Sequence, residues 1–294
     1  MANNSLPVWH RRRSLGLALP VLGIGLVCWF LPWLGGSAHA AATRPWSWII
    51  TLVLLLIFMV IAGDGITGRW AGVLIDQRNK MSLSRLQLVL WTALIVSALV
   101  TAAVSNIALG SSNALAIAVP PQVWIALGIS ASSLVGSPLI LNQKTIVKPD
   151  DTQKDKTVKS IGQQEELPEK TTIANKFVKS GNSAASVTVK SVDSVGLVIV
   201  KAVPQYARWV DLFKGEETGN GAYLDMAKIQ MFFFTLILVF AYAVNIGAMF
   251  SSTANPVTEF PPFDSSVVWL LGISHAGYLT SKVTPHSVVK SQIP

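Results

Sequence analysis

Long apolar stretches separated by polar segments constrain this chain more than any other feature. A hydrocarbon core about 30 Å thick needs roughly 20 apolar residues in a helix. Within lipid, a helix satisfies its own backbone hydrogen bonds. The sequence therefore predicts an all-α, polytopic membrane helical bundle of about six transmembrane helices. The stretches that meet or nearly meet the required length are residues 15–34, 46–63, 86–109, 122–141, 229–250 and 266–281.

Charged residues are concentrated in one segment of the chain. They make up 13% of all residues and the mean hydropathy is +0.50, whereas soluble domains carry roughly 25% charged residues. Residues 143–226 hold 12 of the 23 basic and 11 of the 15 acidic residues, so this segment is nearly neutral. The other basic residues cluster at the ends of the apolar stretches. The net charge of +8 is therefore not a sign of nucleic-acid binding, and the pattern predicts a membrane protein with one polar insert.

The basic residues also predict an orientation. Arg11 to Arg13 precede the first stretch, and Lys144 and Lys148 follow the fourth, whereas the three short loops on the opposite side hold only Arg44. The positive-inside rule then places both termini and the insert in the cytoplasm. An alternative is that residues 1–40 are a cleaved signal peptide ending in Ala-His-Ala. The apolar run of the first stretch exceeds the usual 7–15 residues of a signal core, which favours a retained helix.

Two segments of the chain repeat each other. Arg69-Trp70, Gln87, Pro120-Pro121 and Gly128-Ile129-Ser130 match Arg208-Trp209, Gln230, Pro261-Pro262 and Gly272-Ile273-Ser274 in the same order and at similar spacing. This indicates two membrane hairpins that run in the same direction. The predicted organisation is a two-helix membrane segment (1–63), hairpin repeat 1 (64–142), the polar insert (143–205), hairpin repeat 2 (206–283) and a C-terminal tail (284–294).

The first unit resembles a group of bacterial multi-pass membrane proteins of unassigned function. The resemblance is carried by Ser82-Leu83-Ser84-Arg85-Leu86-Gln87 at a helix start and by Gly128-Ile129-Ser130 in the next helix. The second unit departs from it, with Asp225-Met226-Ala227-Lys228-Ile229-Gln230 at the matching place. The resemblance covers about half the chain. It implies a bacterial inner membrane location and no particular activity.

The polar insert has two parts with different patterns. Residues 143–182 have few large apolar side chains, which predicts a disordered linker. Residues 186–203 contain two valine-rich runs that predict a short β-hairpin turning near Asp193-Ser194. An isolated hairpin is marginal in water, so the insert is either a regulatory arm that binds a partner or a tolerated linker.

Four kinds of candidate residue follow from the pattern. His275 in the last stretch is a candidate gate or pH sensor, since ionisable residues inside membranes are costly and often functional, or else a neutral imidazole bonded to a neighbouring helix. Gln87 and Gln230 occupy matched positions and are expected to cap or bridge helices. Interfacial anchors are expected at Arg69, Trp70, Arg208 and Trp209. Helix-packing faces made of small residues at spacings of four are expected at Gly128, Ser132 and Gly136 and at Gly272, Ala276 and Thr280.

No pattern in the sequence indicates an enzyme. Ser274 and His275 are adjacent on a helix and do not face each other. The single cysteine, Cys28, can form neither an intrachain disulfide nor a cysteine metal site. The expected chain therefore has no catalytic residues, metal or cofactor, and its expected partners are the lipid bilayer, further copies of itself and a cytoplasmic protein.

The sequence leaves three functions open. The first is a non-enzymatic, homo-oligomeric channel-like or pore-forming assembly. The second is a membrane anchor or scaffold that recruits a cytoplasmic partner through residues 143–226. The third is a facilitative transporter.

Overall fold

The computed structural model describes residues 11–30, 36–180, 183–252 and 255–290. Within these residues the fold is mostly helical, and the insert carries two β-hairpins. The helices are α1 (Arg11–Phe30), α2 (Gly36–Thr67), α3 (Leu83–Ala108), α4 (Pro121–Lys144), α5 (Asp151–Gln164), α6 (Met226–Ser252) and α7 (Ser265–Val283). The strands are β1 (Lys170–Ser180), β2 (Ser183–Lys190), β3 (Val192–Val195) and β4 (Val198–Lys201).

Four helices in the described residues are long and apolar enough to cross a membrane. They are Ala42–Thr67 of α2, Leu83–Ala108, Pro121–Lys144 and Met226–Ser252. These helices coincide with the second to fifth predicted spans, so the prediction of a membrane protein is confirmed at this level. The first and sixth predicted spans fall on α1, whose described apolar part is Gly16–Val27, and on the 19-residue α7. The full count of six spans therefore still rests on the sequence pattern.

The helices pack as two consecutive pairs with α1 and α2 beside them. α3 contacts α4 and α6 contacts α7, and the two pairs meet where α4 lies on α7 and α3 on α6. α2 packs against both α3 and α6. The shared core contains Trp91, Ala98, Ala102, Ile246 and Phe250, all fully buried. Small residues such as these alanines let helix backbones approach closely, which is how membrane helices associate.

Large apolar side chains cover the outer surface of the bundle. Trp124, Ile237, Phe240 and Trp269 are each more than half exposed. Soluble monomers rarely expose contiguous apolar patches of this kind. The outer surface is therefore suited to a hydrocarbon solvent.

Residues at matched positions of the two sequence units touch at both ends of the bundle. At one end the rings of Trp70 and Trp209 lie 5.8 Å apart. At the other end Ala118 pairs with Glu259 in a parallel β-bridge, and both residues stand two positions before a Pro-Pro pair. The antiparallel bridges Ile75–Met81 and Lys214–Leu224 also occur at corresponding places, directly before α3 and α6.

The first part of the insert is folded, which differs from the predicted disorder of residues 143–182. Asp150 caps α5 by accepting a hydrogen bond from the backbone N–H of Gln153 at 2.8 Å. On the inner face of α5, Ile161 packs with Val192 and Ile199 in a small core. The apolar partners of α5 lie about 30 residues later in the chain. The local sequence therefore looks too polar to fold.

The hairpins also differ from the prediction, which placed one turn near Asp193-Ser194. β1 pairs with β2, and β3 pairs with β4, both antiparallel. The turn of the second hairpin lies at Gly196-Leu197, and Asp193 and Ser194 lie within β3. Gly196 has a φ of +56°, and an added Cβ would lie 2.2 Å from the carbonyl oxygen of Thr145. Only glycine fits such a left-handed turn residue against another backbone.

The C-terminal tail, residues 284–294, is described as far as residue 290 and runs beside the start of the insert. The backbone N–H of Lys290 donates to the carbonyl of Lys148 at 3.1 Å, and that of Asp150 donates to the carbonyl of Val288 at 2.9 Å. The possible signal peptide, residues 1–40, includes residues 1–10 and 31–35, which lie outside the described residues.

Candidate functional site: a buried charge cluster and the cleft beside it

Charged side chains are buried where the insert meets the ends of the helices. We call this group the charge cluster. Its lysines are at most 9% exposed, although lysine is almost never fully buried unless it is paired. The cluster contains seven basic residues (Arg78, Lys80, Lys144, Lys201, Lys214, Lys228, Lys282) and five acidic ones (Asp76, Glu165, Asp211, Glu216, Glu217).

Glu216 is the centre of the charge cluster. Its carboxylate lies 2.8 Å from Nζ of Lys228, 2.6 Å from Nζ of Lys282 and 3.2 Å from Nη1 of Arg78. Burial by itself would raise the pKa of Glu216. Attraction to Arg78, Lys228 and Lys282 outweighs burial and holds this pKa well below its usual value. Glu216 therefore stays ionised and joins the ends of α6 and α7 to the loop before α3.

Glu217 performs the same role for α4 and for the C-terminal tail. It lies 2.5 Å from Nζ of Lys144, the last residue of α4. It also accepts hydrogen bonds from the backbone N–H of His286 and the hydroxyl of Ser287, both at 3.1 Å. These contacts tie α4 and the C-terminal tail to the same part of the insert.

A second group of ion pairs lies deeper in the insert. Lys201 of β4 pairs with Glu165 and, at 2.8 Å, with Asp211. Lys214 reaches the other oxygen of Glu165 at 3.1 Å. Asp211 also accepts the backbone N–H of Arg208 at 2.8 Å. Removing one partner of a buried pair costs about 3–5 kcal/mol, so these contacts hold the insert in one geometry.

Lys80 is buried without a carboxylate partner among the described residues. It is 2% exposed, and its Nζ donates to the carbonyl of Gly215 at 3.2 Å. Burial lowers the pKa of Lys80 to about 8. Asp211 opposes this shift, and the neighbouring charges of Lys228 and Arg78 add to it. The charge cluster therefore has more positive than negative groups.

A cleft of about 360 Å³ opens beside the charge cluster, between the start of α3 and the end of α4. Arg78, Ser84, Arg85 and Ser137 are among the polar groups on its surface, and apolar side chains form the rest of its walls. Arg85 donates to the carbonyl of Val73 at 3.5 Å and forms no ion pair within the described part of the chain. The apolar lining residues are Val73, Leu88, Val89, Leu134, Pro138 and Leu141.

Tyr278 and Lys282 of α7 contact two serines that line the cleft. The Tyr278 hydroxyl lies 3.4 Å from the hydroxyls of both Ser84 and Ser137. Lys282 donates to the Ser137 hydroxyl at 2.5 Å. Since the Ser137 oxygen accepts a hydrogen bond from the ammonium of Lys282, the Ser137 hydroxyl proton can be donated to another acceptor. The Tyr278 oxygen, at 3.4 Å, is a distant acceptor for it.

The structure places His275 one turn deeper than Tyr278. One ring nitrogen, Nδ1, lies 2.9 Å from the carbonyl of Leu271, and Nε2 lies 3.1 Å from Oε1 of Gln87. Gln87 in turn donates to the hydroxyl of Thr235 at 2.5 Å. Gln87 of α3 therefore contacts both α6 and α7. Of the two roles expected for it, cap or bridge, this is the bridge. Its repeat partner Gln230 is exposed, so the matched positions do not share this role.

The expected interfacial anchors lie together on the surface. Arg69 donates to the carbonyls of Gln205 at 2.8 Å and Ala207 at 2.7 Å. Trp70 and Trp209 are 58% and 45% exposed and contact each other. Arg208 joins this group through its backbone, which bonds Asp211. The first unit is thus connected to the second at this end of the bundle.

The expected packing faces are placed differently from the expectation. Gly136 approaches Leu279, and Gly272 approaches Ile129. The other four small residues are exposed (Gly128, Ser132, Ala276, Thr280). The buried side chains lie on another face of each helix and include Ser130, Ser133, Ser137, Ser274, His275 and Tyr278. Across the two helices, the hydroxyls of Ser137 and Tyr278 lie 3.4 Å apart.

Sequence reasoning missed most of the charge cluster. The sequence pattern marks Lys144 only as a basic residue at the end of a span, and it does not mark Lys228, Lys282 or Glu216-Glu217 as site residues. Two features of the sequence could have indicated the charge cluster. Basic residues stand at three span ends on one side of the membrane, and an adjacent pair of acidic residues precedes the fifth span. In the part of the chain that the structure describes, no three His, Cys, Asp or Glu side chains converge on a possible metal position.

Comparisons with known proteins add no assignment to this geometry: no family model matches the chain, and neither a curated protein nor a solved structure is significantly similar to it.

Proposed function

We propose that this protein is a membrane anchor whose folded cap presents a docking surface to a soluble partner. The cap is defined as residues 145–225 with the tail segment 284–290. The observation that supports this most is the pairing of Glu216 and Glu217 with lysines at the ends of three membrane helices. Buried charges are costly unless they are paired, and a linker without a function would not need buried ion pairs. A folded cap that must keep a fixed position on the membrane helices does need them.

The proposed topology has six spans, with both termini and the cap on the cytoplasmic side of a bacterial inner membrane. Lys144, Lys228 and Lys282 all lie at the end of the bundle that carries the cap. Arg44, at the other end, is buried and donates to the hydroxyl of Ser105 at 2.8 Å. This distribution of basic residues supports the orientation through the positive-inside rule.

The proposed organisation includes a duplication of the α3–α4 unit as α6–α7. The matched contacts Trp70–Trp209 and Ala118–Glu259 support it, because two copies related by a two-fold axis bring equivalent residues together on that axis. Since α3 and α6 both begin at the end of the bundle that holds the charge cluster, the two units run in the same direction. The proposed axis therefore lies along the membrane normal, as in parallel-repeat transporters.

The proposed docking surface is the β1–β2 ribbon. Residues 170–192 contain four lysines and no acidic residue (Lys170, Lys176, Lys179, Lys190). A two-stranded ribbon is marginal in water on its own, and its charge favours an acidic partner through complementary potentials.

The docking surface is tested with the full-length protein cross-linked in cells. We expect one soluble acidic protein to be recovered with the wild type and lost when Lys170→Glu and Lys190→Glu, at two exposed lysines of the ribbon, are combined. The matched control combines Lys156→Glu and Lys159→Glu on the exposed face of α5. If the ribbon variant still recovers the soluble protein, the ribbon is excluded as the docking surface. If both variants lose it equally, the overall charge of the cap and not the ribbon accounts for the binding.

A channel-like, self-associating assembly is the second candidate function, and one observation favours it. The hydroxyls of Ser130 and Ser133 on α4 and of Ser274 on α7 are buried without hydrogen-bond partners in the described residues. Buried hydroxyls are normally bonded, and a path for water or a small solute along α4 and α7 would supply partners. Ion flux in liposomes that changes with His275→Ala would support this function. A monomer by mass measurement in detergent would exclude a pore between subunits.

A further inference from the structure

The cleft beside the charge cluster crosses from a polar to an apolar region. It begins at Ser82, the N-cap of α3, and ends near Val89, which is a depth of roughly 10 Å at 1.5 Å per helical residue. Pro138 and Asn142 of α4 line its rim and are exposed, so the cleft is open towards the surroundings of the bundle. A ligand that follows these walls must be polar at one end and apolar at the other.

The polar end of the cleft is suited to a negative charge. Arg85 carries a positive charge with no ion-pair partner in the described residues. Arg78 donates through Nε at 2.9 Å and Nη2 at 2.6 Å to Asp76, so the Asp76 charge is already neutralised. The Nη1 atom of Arg78 is buried and lies 3.2 Å from Glu216, so this guanidinium is already paired with two carboxylates. The guanidinium of Arg85 is therefore the group at this end that can pair with a phosphate.

Two buried hydroxyls and a helix start add further donors. Ser84 and Ser137 are 1% and 6% exposed, and the proton of Ser137 is free because its oxygen accepts from Lys282. The Ser82 side chain forms no cap hydrogen bond at the start of α3. Helix starts favour anions through their unpaired N–H groups.

The apolar end is suited to a hydrocarbon chain. Leu88 and Val89 of α3 face the cleft, as do Leu134 and Leu141 of α4. A soluble phosphate would leave these walls without contact, whereas an acyl chain would cover them. The volume of about 360 Å³ lies at the small end of ligand pockets, which suits a headgroup with the first part of one chain.

We propose that this cleft binds the phosphate headgroup of an anionic membrane lipid, with Arg85, Ser84 and Ser137 on the phosphate and the α3–α4 walls on the acyl chain. The bound headgroup supplies the negative charge that the surrounding basic residues lack. The site is distinct from the β1–β2 ribbon, so failure of either proposal leaves the other standing.

The test measures lipid binding to the purified full-length protein in detergent by native mass spectrometry. The probes are dioleoylphosphatidylglycerol, dioleoylphosphatidylcholine, glycerol phosphate and inorganic phosphate. We expect selective binding of phosphatidylglycerol. Arg85→Gln should weaken it about tenfold or more, the usual effect of losing one hydrogen bond to a charged group. Leu88→Trp should weaken it by narrowing the apolar end without changing charge. The matched control is Lys148→Gln, an exposed lysine at the same end of the bundle and outside the cleft.

Several results would overturn the proposal. Equal weakening by Lys148→Gln would show diffuse attraction to a basic surface. Binding of inorganic phosphate or glycerol phosphate as tight as that of phosphatidylglycerol would assign the site to a soluble ligand. Unchanged binding in both cleft variants would exclude the cleft. Since Arg85→Gln and Leu88→Trp act on opposite ends of the cleft, a folding defect in one variant leaves the other to decide.

Discussion

Replacing Glu216 with glutamine tests whether the charge cluster joins the cap to the membrane helices. Three basic groups lie within 3.2 Å of this carboxylate: Lys228, Lys282 and Arg78. Glutamine keeps the shape and removes the charge, which leaves the two buried lysines without their acidic partner. Breaking a buried pair in this way costs about 3–5 kcal/mol. At roughly 2 °C per kcal/mol for a chain of this length, Tm should fall by about 6–10 °C.

The assay is thermal unfolding of the purified protein in one detergent, with Glu169→Gln as the control. Glu169 is exposed, and its replacement should leave Tm within about 1 °C, as for surface changes in general. The combination of Glu216→Gln with Lys282→Met should recover part of the loss, because one unpaired charge is removed as well. A Tm for Glu216→Gln equal to that of the control would refute the reasoning.

The same carboxylate predicts a dependence on acid. The folded-state pKa of Glu216 lies below its unfolded value of about 4.3. Its contribution to stability is therefore present above that unfolded value and is lost as the pH falls through the folded pKa. The wild type should lose stability below about pH 4 more steeply than Glu216→Gln, and parallel acid-unfolding curves would contradict this.

Three further predictions concern single residues. Gly196→Ala should lower stability by about 1–3 kcal/mol or more, because its φ is +56° and an added Cβ meets a backbone oxygen; an unchanged Tm would contradict this. The wild type should gain stability between about pH 8 and 10.5, because the pKa of Lys80 is about 8 when folded and the unfolded state holds more protons there; Lys80→Met should remove this rise in pH-dependent unfolding curves. Gln87→Leu should lower Tm more than Gln230→Leu, since only Gln87 is buried and bonded, to Thr235 among others; equal effects would refute a structural role for that bond.

The membrane character of this protein could be predicted because it depends on local composition. A helix crosses lipid when a continuous stretch of residues is apolar, so α3, α4 and α6 could be placed within three residues of their bounds. The helix α2 begins ten residues before the predicted span. The matched Gln, Pro-Pro and Gly-Ile-Ser motifs were likewise recognised from spacing along the chain, and the duplication that they indicate stays a prediction. The same local reasoning failed for α5, whose partners Val192 and Ile199 are distant in sequence.

The candidate site could be predicted only in part. His275 was selected as an ionisable residue in an apolar stretch, and Gln87 because its position matches that of Gln230. Their mutual contact at 3.1 Å depends on how the α3–α4 and α6–α7 pairs meet. The small-residue faces were selected by spacing alone, and spacing does not say which face of a helix is buried. Ser130 and Ser133 of α4 are buried, whereas Gly128 and Ser132 are exposed.

From its sequence alone, this chain is determined as a membrane protein of long apolar helices with one polar insert, because transfer into lipid is a sum over neighbouring residues. Tertiary structure alone decided that the insert is folded against the helix ends. The stability of a buried ion pair depends on the distance between groups such as Glu216 and Lys282, which are 66 residues apart in the chain and 2.6 Å apart in space. Electrostatic attraction depends on that distance and desolvation on burial, and neither quantity can be obtained from the order of residues in the chain.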